Sequence, residues 1–136
     1  MNVLIDTNIL LDYIQHREYF SLSEQILTLC AKKEIYGFIA AHSVPNMFYL
    51  LRKDFSDAER RKILLSLTEL LPVVGIDHTK IEGALRNNTF SDFEDCLQVE
   101  CAKEINAAFI ITRNAKDFLE SEIAVITPED FLKKLE

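Results

Sequence analysis

Near its start the chain reads Asn2-Val3-Leu4-Ile5-Asp6-Thr7-Asn8-Ile9-Leu10-Leu11-Asp12. Val3, Leu4 and Ile5 form a short, uninterrupted apolar run, the pattern of a strand covered on both faces. Three polar residues follow together, and apolar residues then return at Ile9, Leu10, Tyr13 and Ile14 with helical spacing. A doubly covered strand that passes straight into a helix points to a parallel sheet with helices on both sides. Asp6 would then stand at the carboxyl end of that strand, the edge of open α/β sheets where ligands bind. Asp, Thr and Asn can each accept bonds from free N–H groups at a helix start. Thr7 suffices for that cap, which leaves Asp6 available for other work.

The rest of the chain repeats the alternation. A second helix is expected over 19–34, with Leu22, Ile26, Leu29 and Cys30 on one face, and a β-branched and aromatic strand over 35–41. Pro45 suits the first turn of a third helix, whose apolar stripe is Met47, Phe48, Leu50 and Leu51. Ser56-Asp57-Ala58-Glu59 is a capping box for a fourth helix that Pro72 closes, and 73–76 is the third strand. Asp77 or Thr79 opens a helix carrying Ile81, Ala84 and Leu85, and 87–90 is a loop. Ser91-Asp92-Phe93-Glu94 has the form of a second capping box, opening a helix that runs to about Asn106. Strands are expected over 108–112 and 123–126, with a loop or short helix over 113–119 between them. Thr127-Pro128-Glu129-Asp130 starts the last helix. Right-handed crossovers turn this series into a three-layer α/β/α sandwich with a central five-stranded parallel sheet, order 3-2-1-4-5.

A length of 136 residues suits one domain with one real core, spanning 1–136. Three Gly and three Pro argue against long linkers. No apolar run approaches the roughly 20 residues of a membrane span. An acid at position 6 and the lack of a basic start argue against a secretory leader. Cys30, Cys96 and Cys101 are an odd number without metal-site spacing, which fits a reduced, cytoplasmic compartment. A net charge of −7 is not that of a general nucleic-acid binder, although an acidic centre can coexist with a local basic rim. Arg52, Lys53 and Arg113, with the run Arg60-Arg61-Lys62, are the rim candidates, and a solvated helix face is the plainer reading of the two helical groups.

With that strand order, Asp6 lies beside Thr112 and Asn114 at the tip of the fourth strand, with Asp117 a few residues on. Asp92 and Asp95, three apart, share one face at the start of the helix that leads into it. Each acid alone has a structural explanation as a cap or a dipole partner. Their arrival on one rim of one sheet does not. Gathered carboxylates repel unless a cation offsets them. Hard divalent ions such as Mg²⁺ and Mn²⁺ take oxygen ligands of this kind, and metal-assisted phosphodiester hydrolysis is the reaction class that follows.

Three blocks of sequence resemble one known family. Val3 through Asp12 resembles the opening of PIN-domain nucleases. Asp92-Phe93-Glu94-Asp95-Cys96-Leu97-Gln98, followed by Ile110-Ile111-Thr112-Arg113-Asn114-Ala115-Lys116-Asp117-Phe118, resembles their second half. The resemblance implies an α/β/α domain, often a homodimer, that cleaves RNA with Mg²⁺ or Mn²⁺. It also implies, for many small bacterial and archaeal members, a toxin neutralised by a cognate antitoxin protein. By position, Asp6 resembles the first metal ligand, Asp95 the ligand of the second half, and Asp92 an added neighbour found in one subgroup. Thr112, Asn114 and Asp117 resemble the strand tip that completes the site, with Thr7 supporting and Asn8 orienting Asp6 or a metal-bound water. Family members usually carry a Glu early in the third helix, where this chain has Asn46, and many have Asp where it has Asn114.

Two other functions compete. One is a PIN-like module that binds RNA or a protein without cutting, which Asn46 favours. The other is a phosphoacceptor receiver domain, for which Asp6 comes too early and Lys116 is poorly placed. Scattered histidines (His16, His42, His78) do not support zinc. There is no Gly-rich phosphate loop, and no Ser or Cys has an evident base partner.

Overall fold

A computed structural model describes residues 1–89 and 92–136 of the chain. Its centre is β1 (Asn2–Ile5), in which Val3, Leu4 and Ile5 are wholly buried. Because side chains alternate across a strand, Val3 and Ile5 enter one core and Leu4 the other. On one side of β1 lies β2 (Tyr36–Ala40) and beyond it β3 (Val73–Val74); on the other lie β4 (Phe109–Ile111) and then β5 (Val125–Ile126). All pairings are parallel, and the order β3-β2-β1-β4-β5 is the one the sequence implies. Register sets Leu4 against Phe38 and Ile110, and Ile5 against Ile111.

Helices cover both faces. The first core gathers Ile9 and Leu10 of α1 (Thr7–Ile14), Ile26 of α2 (Phe20–Ala31) and Met47 of α3 (Ser43–Leu50). Leu64 and Leu67 of α4 (Asp57–Leu70) and Phe131 of α7 (Pro128–Lys134) complete it. The second core is closed by Val99, Cys101 and Ala102 of α6 (Phe93–Glu104), against which α5 (His78–Arg86) packs. The first helix layer sits close on β2: a Cβ on Gly37 would come within 2.6 Å of Cys30 Sγ and 2.8 Å of Leu71 Cδ2. All three cysteines are free, and among the described residues no helix is long and apolar enough to cross a membrane.

Several boundaries differ from expectation for identifiable reasons. α2 ends at Ala31 and α6 at Glu104 because Lys33 and Asn106 take left-handed backbone (φ 60° and 51°) that stops each helix. β5 is shorter than 123–126 because Ile123 is held in a local turn, its N–H donating to Ser121 Oγ at 3.1 Å and its carbonyl accepting from the same hydroxyl at 2.7 Å. β3 stops at Val74, where its partner β2 gives way to α3. The expected capping boxes divide. At α4 both bonds are made, Glu59 N to Ser56 Oγ (3.2 Å) and Ser56 N to Glu59 Oε1 (2.8 Å). At α6 the cap is Asp92, whose Oδ1 accepts from Asp95 N at 3.0 Å; Ser91, the residue expected to cap, lies outside the described residues. Ile81 and Leu85 do not enter the core, since α5 lies outside α6 and buries Ala84 instead.

Candidate functional site

Asp6 is the first residue after β1, and its N–H completes the ladder to Ile111 O at 3.0 Å. Contrary to expectation, Asp6 itself caps α1: Oδ1 accepts from Thr7 N at 2.7 Å. An aspartate at the N-cap satisfies a free N–H that a preceding residue is best placed to reach, so Thr7 is one residue too late for the task. The Thr7 hydroxyl donates instead to Ser43 Oγ, 2.8 Å away. Capping does not withdraw Asp6 from the sheet edge. Its Oδ1 also accepts from Gln98 Nε2 (3.0 Å), and its Oδ2 from Thr112 Oγ1 (2.7 Å) and Asn8 Nδ2 (3.2 Å). Asp6 is 8% exposed, and burial raises its carboxyl pKa against the lowering effect of the bonds from Thr112 and Thr7.

β4 and α6 bring the remaining groups to the same edge. Thr112, wholly buried, accepts from Asn114 N (3.1 Å) while donating to Asp6. Asn114 O then accepts from Asp117 N at 2.9 Å, starting a short 3₁₀ turn over Ala115–Phe118. Asp92 and Asp95 stand at the start of α6. Asp6, Asp92, Asp95, Asn114 and Asp117, with Thr7, Asn8 and Asn46, line one cleft of about 350 Å³. Thr112 supports that cleft from beneath through its bond to Asp6.

The electrostatics report the crowding. Asp95 has its carboxyl pushed up to about 7, first by burial and then by Asp92, Asp6, Asp117 and Glu94. His42 also lines the cleft, and burial lowers its pKa against the raising fields of Glu94, Asp6 and Asp92.

The basic residues expected at a rim are placed elsewhere. Arg113 does not line the cleft; its Nε and Nη2 grip the wholly buried Asp12 at 2.6 and 3.3 Å, and its guanidinium lies over Tyr19. Arg52 folds back onto the Tyr49 ring at 3.8 Å and donates to Tyr49 O. Lys53 is exposed and does not line the cleft. Arg60 donates to Phe48 O at 2.7 Å, and Arg61 pairs with Asp57 at 2.6 Å.

Three polar cleft residues carry no site role in the sequence pattern: His42, Glu94 and Gln98. Glu94 matters because its Oε2 accepts from Asn46 Nδ2 at 3.3 Å, bringing a carboxylate beside the amide that stands in place of the family's Glu. Gln98 had a signal in the sequence: with Asp92 and Asp95 it continues a three-residue spacing, so all three share a helix face.

A hard divalent cation fits this donor set. The groups are oxygen ligands without thiolate, the kind Mg²⁺ and Mn²⁺ prefer. Two acceptors, Asn8 Oδ1 and Gln98 Oε1, are buried without a hydrogen-bond partner. Among the described residues no three acidic, His or Cys side chains close into a finished cage. Mg²⁺ does not require one, since it usually keeps several waters and takes one or two carboxylates.

Comparison with known proteins agrees with this architecture. The PIN domain family profile matches residues 2–116. Among solved structures, VapBC2 from Rickettsia felis, bound to a DNA fragment from its promoter, is similar over 93% of this chain and 98% of that chain (TM-score 0.71, 17% identity). A toxin–antitoxin complex from Klebsiella pneumoniae is similar over 93% and 97% (TM-score 0.69, 23% identity). VapC20 from Mycobacterium tuberculosis, a sarcin–ricin loop cleaving toxin, is similar over 79% and 86% (TM-score 0.62, 12% identity). At these identities the likeness is one of fold. No curated protein matches the sequence. The profile match and the strand order together establish that the chain belongs to the PIN domain family.

Proposed function

We propose that this chain is a single-domain, divalent-cation-dependent endoribonuclease that hydrolyses RNA phosphodiester bonds and acts as the toxin of a toxin–antitoxin pair. The observation that carries the reading is the cleft itself: carboxylates from the end of β1, the start of α6 and the turn after β4 share one space of about 350 Å³. Asp6, Asp92, Asp95 and Asp117 are the residues that would hold Mg²⁺ or Mn²⁺. A bound cation of this class supplies Lewis acidity and neutralises charge developing at phosphorus. Thr7, Asn8, Gln98 and Thr112 fix the orientation of the Asp6 carboxylate. Asp95, whose carboxyl is pushed up by burial and by the neighbouring acids, is a group whose ionised form a bound cation would favour. Asn114 borders the same space and can bond a substrate oxygen.

Similar folds crystallised as toxin–antitoxin complexes support an antitoxin partner for this chain, and the sarcin–ricin loop cleaving toxin supports RNA as substrate. A homodimer in the cytoplasm completes the reading, since free thiols suit a reducing compartment. A second reading, binding without cutting, is favoured by Asn46, an amide at the place of an acid; Glu94 at 3.3 Å weighs against it.

The test is RNA incubated with the purified chain and Mn²⁺. Cleavage is expected, with loss on chelation and in Asp6→Asn and Asp95→Asn at unchanged circular dichroism. Cleavage that survives both substitutions contradicts the assignment, and RNA retained intact by a well-folded, metal-loaded chain carries the second reading.

A further inference from the structure

We propose that Gln98 is itself a ligand of the cation, through Oε1, after its amide turns over; this rests on the metal-dependent reading above. The lone pairs of Asp6 are already engaged. An ionised carboxylate offers about four acceptor sites, and in this structure four donors use them: Thr7 N, Gln98 Nε2, Asn8 Nδ2 and Thr112 Oγ1. A cation can reach Asp6 only by displacing one. Thr7 N is backbone held by the cap, and the Thr112 hydroxyl is pinned between Asp6 and Asn114 N. The two amides are the donors that can yield.

Gln98 is the better placed of these. It is 3% exposed, lies on α6 one turn beyond Asp95, and lines the acidic cleft. Its Oε1 is buried without a partner, a cost that a purely donating role does not explain. Rotation about the last side-chain bond exchanges Oε1 with Nε2. Oε1 then occupies a point 3.0 Å from Asp6 Oδ1. Two oxygens at that separation repel unless a cation joins them. Neighbouring corners of an octahedral Mg²⁺ shell, with oxygens at about 2.0–2.1 Å, are about 3 Å apart. The same amide is thus a lock on Asp6 without the ion and a ligand with it. An amide oxygen adds a donor without a charge, which suits a cleft that Asp6, Asp92, Asp95 and Asp117 already line.

The experiment is calorimetric titration of Mn²⁺ into the wild-type chain, Gln98→Met and Gln98→Glu, with metal-free thermal unfolding as the check on folding. The two roles of Gln98 give opposite signs. If it only donates to Asp6, Gln98→Met removes a competitor for Oδ1, and Mn²⁺ binds as tightly as before or more tightly. If it is a ligand, Gln98→Met weakens binding at least tenfold, while Gln98→Glu, which restores the oxygen, binds at least as tightly as wild type. Should Gln98→Met not fold, the wild-type chain still decides: Mg²⁺ saturation shifts the ¹⁵N-labelled Gln98 Nε2 signals as their bond to Asp6 is lost, and unchanged signals overturn the proposal. Unaltered Mn²⁺ affinity in a folded Gln98→Met overturns the ligand role alone. Absence of Mn²⁺ binding by the wild-type chain overturns it together with the metal-dependent reading.

Discussion

Asp6 caps a helix and faces the acidic cleft with the same carboxylate, so its neighbours must be read as orienting groups as well as structural ones. Thr112 is the clearest case. Its hydroxyl donates to Asp6 Oδ2 at 2.7 Å and accepts from Asn114 N at 3.1 Å, from a wholly buried position. Thr112→Val keeps the shape and removes both bonds. Urea unfolding is expected to show a loss of about 1–3 kcal/mol, the cost of leaving buried polar groups unpaired; an unchanged midpoint would mean that the hydroxyl does not hold the site. Asp95 gives a pH test. Its folded pKa, about 7, lies above the unfolded value, so between the two the folded state binds the extra proton and stability falls as pH rises. In chelator, wild type should therefore lose melting temperature relative to Asp95→Asn between pH 5 and pH 7. His42, whose pKa moves the other way, is present in both chains and drops out of the difference. A difference that stays flat across that range would show that Asp95 is not crowded.

The turn after β4 is held from behind as well as from within the cleft. Arg113 sits between Thr112 and Asn114, and its guanidinium is tied to the buried Asp12 of α1 at 2.6 Å, with Arg17 at 3.8 Å on the same carboxylate. Arg113→Leu leaves that carboxylate with the distant Arg17. A destabilisation toward the lower end of about 3–5 kcal/mol is expected by chemical denaturation, and the double variant Asp12→Leu/Arg113→Leu should recover most of it. Equal losses in both would show that packing, not the stranded charge, sets the effect. The sequence marks Arg113 as a rim candidate because an arginine beside a strand tip has the right charge. It cannot show that Asp12 lies opposite. Asp12 is 101 positions away in the chain, and an acid inside an apolar helical stretch announces no partner. The helix ends were partly hidden for a related reason. Ser56 and Thr127 cap as their local patterns indicate, but the left-handed turns at Lys33 and Asn106 involve no glycine and leave little trace in the residue types.

At the scale of the molecule, the sheet order was legible because β1 is apolar at every buried position and must lie inside, between β2 and β4. Once that order is fixed, Asp6, Asn114, Asp117 and the start of α6 reach one edge by topology alone. The sequence could not reveal the finer arrangement: that Asp6 is wrapped by four donors, that Glu94 reaches Asn46, or that Gln98 turns a side-chain amide toward the β1 tip. Those depend on rotamers, which pairwise spacing does not encode. The net charge of −7 is consistent with a cleft built of acids, and it shifts the task of gripping RNA from bulk charge to local contacts. The measurement that bears most directly on the whole account is the Mn²⁺ isotherm of the wild-type chain set beside that of Asp6→Asn, which keeps the helix cap while removing the charge. One saturable site is expected in the first and at least tenfold weaker binding in the second; no binding by wild type at millimolar Mn²⁺, or identical isotherms, would contradict it.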